Sequence, residues 1–184
     1  LAKYLFICDN DNPPDIYNEE AYFTYFFERV NWERDLHFQT KTTIDTLDYS
    51  GDSINEGSKL VAAAAGEVKR SLSTDFNIDL IDGFSNPLFV SKGNLIIEGN
   101  GNLENLLSFL EKQDMEGIGL ITIVDDSNFV QEDFSNWLWV TFTRSNPAND
   151  VYGLHAETKY KHFSCSIPVI DARIKEHHAP ILKR

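Results

Sequence analysis

Residues 29–41 read RVNWERDLHFQTK, and residues 144–159 read RSNPANDVYGLHAETK. Arg29 and Arg144, Asn31 and Asn146, and Asp35 and Asp150 each stand 115 residues apart. HFQTK and HAETK stand 118 apart, a drift that an insertion around YGL at 152–154 accommodates. What precedes each stretch matches as well. An apolar run (YLFIC, 4–8; GLITIV, 119–124) leads into Asp9 or Asp125, then a turn, then an aromatic helical segment. Strands alternating with helices predict an α/β fold. The expectation is a layered, mixed and largely parallel sheet covered by helices, with two pseudo-repeated β-α-β units at about 1–70 and 118–183 inside one domain, 1–184. A lone β-α-β unit leaves a sheet edge and a helix face uncovered, so the two units are expected to share one continuous sheet.

Local signals fill in the elements. Asn18 ahead of two glutamates predicts a helix start, and the aromatics from Tyr22 to Phe27 give that helix a wide apolar face. Leucines at 103, 106, 107 and 110 recur at i, i+3, i+4 and i+7, with Asn102 placed to cap them. KLVAAAAG (59–66) fits helix by its alanines and strand by its brevity. GEVKRSLSTDFN (66–77) reads as a helical turn and exit. SNFVQEDFSNWLWVTFTRSN (127–146) reads as one aromatic helix stopped ahead of Pro147. A Lys-Gly-Asn turn at 92–94 predicts a hairpin.

The bulk composition excludes several classes of function. The 184 residues carry a net charge of −13, which repels phosphate backbones, so nucleic acid is an unsuitable partner. No apolar run approaches the roughly 20 residues of a membrane helix, and no signal peptide is evident, so the expected setting is cytoplasmic without an integral membrane segment. Cys8 and Cys165 make no disulfide framework. Ordered structure beginning almost at Leu1 suggests a domain of a longer chain.

Several clusters carry side chains capable of chemistry. Asp9, Asp11 and Asp15 resemble the start of a calcium loop, but Pro14 stands where that loop needs glycine, and a solvated turn is the plainer reading. Asp125 and Asp126 line a crevice or cap backbone amides. His162, Cys165, His177 and His178 have partly zinc-like spacing, yet adjacent histidines diverge from any one element, and no metal site is assigned. His37 and His155 occupy matched places in the two copies and are read as structural. Asp171, Arg173 and Lys175 crowd one strand end. No nucleophile elbow, phosphate loop or dinucleotide fingerprint is present, so no catalytic residue is assigned.

One stretch is more specific. WLWVTFTRSNPANDVYGLHAETKYKHFSCSIPVIDARIKEHHAPIL (137–182) resembles the C-terminal end of UbiD-type carboxy-lyases, of the kind that act on 3-octaprenyl-4-hydroxybenzoate. The resemblance lies in Asp125 and Asp126, Trp137, then Thr143, Arg144, Pro147 and Asp150, then Ile170, Asp171, Ala172 and Lys175. In the first half, Leu47, Asp48, Gly57, Ser58, Lys59 and Leu60 resemble the same family's Leu-Asp and Gly-Ser-Lys segments. The resemblance covers most of 1–70 and 118–183. It implies the C-terminal domain of a decarboxylase for aromatic or α,β-unsaturated acids, of the quinone-biosynthesis type, using prenylated FMN with a divalent metal. It implies a flavin-binding domain of the same chain as partner, carrying a Glu-Arg-Glu set that has no match here, and a homo-oligomer. This stretch would then be inactive alone. Asp171, Arg173 and Lys175 become the candidates for an edge facing the substrate pocket, while cofactor-binding residues stay unassigned. A non-enzymatic oligomerisation or interaction module is the alternative.

Overall fold

A computed structural model describes residues 2–10, 13–51 and 53–178. Its elements run β1 (Tyr4–Cys8), α1 (Glu19–Arg29), β2 (Leu36–Thr43), β3 (Glu56–Ala64), β4 (Phe84–Ser91), β5 (Asn94–Gly99), α2 (Leu103–Leu110), β6 (Leu120–Val124), α3 (Ser127–Glu132), α4 (Phe134–Arg144), α5 (Pro147–Asp150), β7 (Val151–Leu154), β8 (Glu157–Lys159), β9 (His162–Ser164) and β10 (Ile167–Asp171). The α/β class holds, but the single, largely parallel sheet does not. The strands form a three-stranded sheet, β1-β3-β2, a five-stranded sheet, β4-β5-β6-β10-β7, and a β8-β9 ribbon. Parallel pairs (β1 with β3, β5 with β6, β6 with β10) stand beside antiparallel ones (β2 with β3, β4 with β5, β7 with β10, β8 with β9). For β4–β5 and β8–β9 a hairpin explains the difference, since strands joined by a tight turn can only run antiparallel. The β4–β5 turn needs Gly93, whose φ is +72° and where a Cβ would meet Leu72 and the Gly117 carbonyl.

The helices form where their caps are. Asn18 accepts from the Ala21 N–H and Asn102 from the Asn105 N–H. The 127–146 segment is two helices, not one. Asp133 sits in extended conformation and accepts from the Ser135 N–H, ending α3 and starting α4. The alanine run is strand. Ala62 and Ala64 are at most 1% exposed and share a cluster with Phe23, Phe26 and Phe27 of α1, whose rings need small neighbours. Residues 66–77 are not helical. Their backbone reaches outward instead, from Lys69 N–H to Glu28 and from Ser73 N–H to Gly117.

Two apolar clusters hold the sheets. The first unites α1, α4, the inner residues of β1 and β3, and Ile96, Leu120, Val124 and Ile170 of the larger sheet. The second lies on that sheet's other side, where Leu95, Ile97, Ile121, Ile123 and Val169 meet Leu106 and Leu110 of α2. β6 is therefore buried along its whole length, which is why LITIV shows no polar alternation. Burying Leu106 and Leu110 contributes about 1.5–3 kcal/mol each.

Pairing order repeats between the sheets. β1-β3-β2 and β6-β10-β7 each have a parallel pair followed by an antiparallel one. Asp35 and Asp150 each accept the backbone N–H four residues earlier, from Asn31 (3.1 Å) and Asn146 (2.6 Å). The matched letters further on do not share a place. His37 lies inside β2 opposite Val61, whereas His155 follows β7 in a left-handed turn (φ 50°) and HAETK runs on into β8.

Candidate functional site

Carboxylates at the ends of β1 and β6 hold the chain. Asp9 accepts from the Gly66 N–H (2.6 Å) and the Tyr25 hydroxyl (2.7 Å). Asp125 accepts from the Ile174 N–H (2.9 Å) and from Arg144 (3.2 Å). Each therefore anchors the segment leaving the neighbouring parallel strand, β3 or β10. Asp15 accepts from the Tyr17 N–H and Asp126 caps α3. Asp11 lies outside the described residues.

Asp171, Arg173 and Lys175 do come together at the end of β10. Arg173 forks onto the Asp171 carboxylate, with Nε to Oδ1 at 2.8 Å and Nη2 to Oδ2 at 2.7 Å, and its Nη1 donates to the Gly101 carbonyl. Burial pushes the Asp171 carboxyl up, but the Arg173 hydrogen bonds and the Lys175 charge outweigh it and hold it below the usual range. Lys175 Nζ donates to the Asp171 carbonyl at 2.8 Å and approaches Asp150 Oδ1 at 3.4 Å. For Asp150, burial dominates and raises the carboxyl.

A second polar cluster joins residues from opposite ends of the chain. Lys3 is ion-paired to Asp48 (2.9 Å) and donates to the Ser50 hydroxyl (2.7 Å). Burial lowers the Lys3 ammonium, partly offset by Asp48. On the carboxylate side burial raises Asp48, and hydrogen bonds from Ser50 and Lys3 outweigh it, so the pair is anchored by an ionised Asp48. Next to Lys3, Tyr4 shares a 2.6 Å hydrogen bond with Ser145. Ser145 gives its own proton to the Thr141 carbonyl, so Tyr4 is the donor. Trp32 Nε1 donates to the Gly119 carbonyl, and Ser58 bonds to Asn146 and the Ala148 N–H.

Beside this cluster opens a groove of about 550 Å³ between β1, α4 and residues 45–49, with Tyr4, Phe6 and Phe142 along it and Lys3 and Asp48 at one end. Its size and aromatic lining suit binding. Its polar groups are engaged: Asp45 accepts from the Leu47 N–H, and Asp48 from Lys3 and Ser50. Among the described residues these polar groups hold one another. The sequence reading missed Lys3 and Tyr4, because their partners lie 45 and 141 positions away.

The histidines and Cys165 disperse. His162 Nε2 meets the Glu33 carbonyl and its ring lies 5.4 Å from that of His37. Cys165 is buried, with its thiol pushed up to about 12 by that burial. His178 packs against His177 and Tyr49, and burial together with the Lys175 charge lowers its imidazole to about 4. Among the described residues no group of three or more His, Cys, Asp or Glu is placed to hold a metal ion. With Arg173 and Lys175 tied to internal acceptors, the described residues of this cluster do not fit the phosphate and metal of a flavin cofactor.

Residues 1–64 match the family of the 3-octaprenyl-4-hydroxybenzoate carboxy-lyase C-terminal domain. The chain is 31% identical to a protein of Chlamydia pneumoniae named as a 4-hydroxybenzoate decarboxylase component, over 95% of this chain and 30% of that protein. It is 30% identical to a protein of Chlamydia trachomatis serovar D carrying no functional name, over 83% of this chain and 26% of the relative. The chain thus spans less than a third of the length of these curated relatives. No solved structure matches. The resemblance read from the sequence holds: residues 1–64 match the UbiD-type C-terminal domain, and the decarboxylase relative aligns along 95% of the chain.

Proposed function

We propose that residues 1–184 are the C-terminal portion of a UbiD-family decarboxylase that acts on aromatic or α,β-unsaturated carboxylic acids of the quinone-biosynthesis type. The observation that carries this reading is the 31% identity to a named decarboxylase component across 95% of the chain. In the whole enzyme a flavin-binding domain of the same chain holds prenylated FMN with a divalent metal. That group supplies the electron sink for loss of carbon dioxide. This portion supplies no catalytic residue and is inactive alone. The absence of helices long and apolar enough to cross a membrane among the described residues is compatible with a cytoplasmic enzyme. We place Asp171, Arg173 and Lys175 at the edge facing the substrate pocket. Their support is position, at the carboxyl end of β10 beside parallel β6, where α/β sheets gather ligands. We also read 1–70 and 118–183 as two copies of one unit, supported by the shared strand order and the matched Asp35 and Asp150 hydrogen bonds.

Carbon dioxide release from 4-hydroxybenzoate, measured with prenylated FMN present, tests the reading. The full-length polypeptide should turn the acid over and residues 1–184 should not. Failure of the full-length protein on a panel of aromatic and unsaturated acids would sink it. A second reading, a non-enzymatic oligomerisation or interaction module, is favoured by one observation: Trp139 is 62% exposed. A homo-oligomer is compatible with both, and light scattering measures it.

A further inference from the structure

The aromatic groove opens toward solvent with an unusual mouth. Trp139, 62% exposed, lines it from α4, and Leu47, 87% exposed, lines it from residues 45–49. Beneath them Phe142 lies 4.8 Å from Tyr4 and 5.5 Å from Phe6, ring to ring, so the floor of the groove is continuous with the first apolar cluster. Apolar surface left open above a core marks a contact site.

The strand order sets this side of the smaller sheet apart. β6 stands to β10 and β7 as β1 stands to β3 and β2. Along its outer side β6 has β5, in five register pairs, with Leu95, Ile96 and Ile97 wholly buried. Along the corresponding side of β1 no described strand pairs. That edge is not free to accept an ordinary added strand, because the Tyr22 hydroxyl already donates to the Phe6 carbonyl at 2.8 Å. An occupant is therefore recognised through side chains in the groove rather than through a main-chain ladder.

We propose that an apolar segment of the same polypeptide, outside residues 1–184 and flanked by basic residues, seats in this groove between Trp139 and Leu47. The inference rests on reading the chain as part of a longer carboxy-lyase. Length is the first reason for this occupant: the chain spans 30% of its decarboxylase relative, so most of such a polypeptide lies elsewhere. Charge is the second. Asp45 and Asp48 border the groove, Lys3 neutralises only one of them, and the whole chain carries −13. A second copy would bring the same negative field against itself, whereas a basic-flanked segment is attracted.

Oxidative footprinting of Trp139 tests this, comparing residues 1–184 with the full-length protein. The expected result is oxidation slowed by about fivefold or more in the full-length protein, as for a residue at an interface core. Leu47→Lys in the full-length protein should restore the fast rate. Circular dichroism of the same substitution in residues 1–184 checks that the fold is intact, which the exposure of Leu47 predicts. Equal rates in both proteins overturn the proposal. So does protection that appears in residues 1–184 alone as concentration rises, since the occupant is then a second copy. Decarboxylation is scored separately. An active full-length enzyme with unprotected Trp139 refutes the docking alone, and an inactive one with protected Trp139 refutes the assigned reaction alone.

Discussion

Asp150 and Asp171 are both nearly buried, at 6% and 8% exposure, and both feel the charge of Lys175, yet replacing each by asparagine should have unequal effects. At Asp171 the charge is stabilising in the fold, because the two-bond fork from Arg173 outweighs the burial cost. Asp171→Asn turns an amide toward that fork. Breaking a buried pair costs about 3–5 kcal/mol, and here the loss is nearer about 2–3 kcal/mol because Arg173 keeps some solvent and its bond to Gly101. At Asp150 burial prevails and the charge is unfavourable. Asp150→Asn keeps an oxygen for the Asn146 N–H and gives up only a 3.4 Å contact with Lys175, which retains the Asp171 carbonyl. Its cost should stay within about 1 kcal/mol. At about 2–4 °C per kcal/mol for a chain of this size, Asp171→Asn lowers Tm by about 4–12 °C and Asp150→Asn by less than about 4 °C. Thermal and urea unfolding followed by circular dichroism at pH 7 measure both. The pH dependence gives a second check. The folded Asp171 lies below its unfolded value, so its contribution is present above that value and is lost as pH falls. The folded Asp150 lies above its unfolded value, so its proton is taken up by the native state first. Acidification should therefore close the gap between wild type and Asp171→Asn, while moving wild type ahead of Asp150→Asn. A loss at Asp150→Asn equal to that at Asp171→Asn at pH 7 would refute the assignment of which charge the fold favours.

His178, lowered to about 4 by burial and then by Lys175, fits the fold as the neutral ring, so its contribution is present above the unfolded value of 6.5 and is lost as pH falls through 4. Solvent screening at this partly exposed ring limits the effect to about 1–2 kcal/mol, and His178→Gln should flatten stability between those pH values in urea titrations. Trp32→Phe removes the donor to the buried Gly119 carbonyl and should cost about 1–3 kcal/mol by the same unfolding assay. Cys165, buried and with its thiol raised to about 12, should resist a disulfide reagent at pH 8 in the native chain and react once urea unfolds it; the half-buried Cys8, also raised by burial, should react slowly but first. Native modification of Cys165 at the rate of Cys8 would contradict the packing around Gly153, where Cys165 fills the space a Cβ would need.

Legibility followed locality. α1 and α2 could be read because Asn18 and Asn102 announce them and their apolar residues recur on one face. β6 could be read because LITIV is buried on both sides. The alanine run could not, since its state is decided by the α1 rings above it. The break at Asp133 was equally hidden, because an aspartate inside an aromatic run is a cap only if the chain turns there. The expectation of one sheet failed because a strand's sequence does not record which edge it joins. HFQTK and HAETK misled for a related reason: the β8–β9 ribbon begins within the second copy, so His155 lies in a turn where His37 lies in a strand. At the site, the charges at 171–175 were legible as a cluster within one short stretch, but their mutual engagement was not. Lys3 and Tyr4 left no local signal at all.

The long-range bonds constrain what this portion can do. Tyr4 to Ser145, Trp32 to Gly119, and Ser58 to Asn146 and Ala148 each tie a residue before position 60 to one after position 118. The ends of the two sheets therefore cannot shift independently without leaving buried donors or acceptors unpaired, at about 1–3 kcal/mol each. The strand-end charges are likewise engaged, Asp171 by Arg173 and Asp125 by Arg144. A block held in this way loses little conformational entropy when it is bound, so burial of its open aromatic groove would appear as affinity rather than be offset by ordering. Among the described residues these bonds make the portion a cross-tied surface beside an apolar groove.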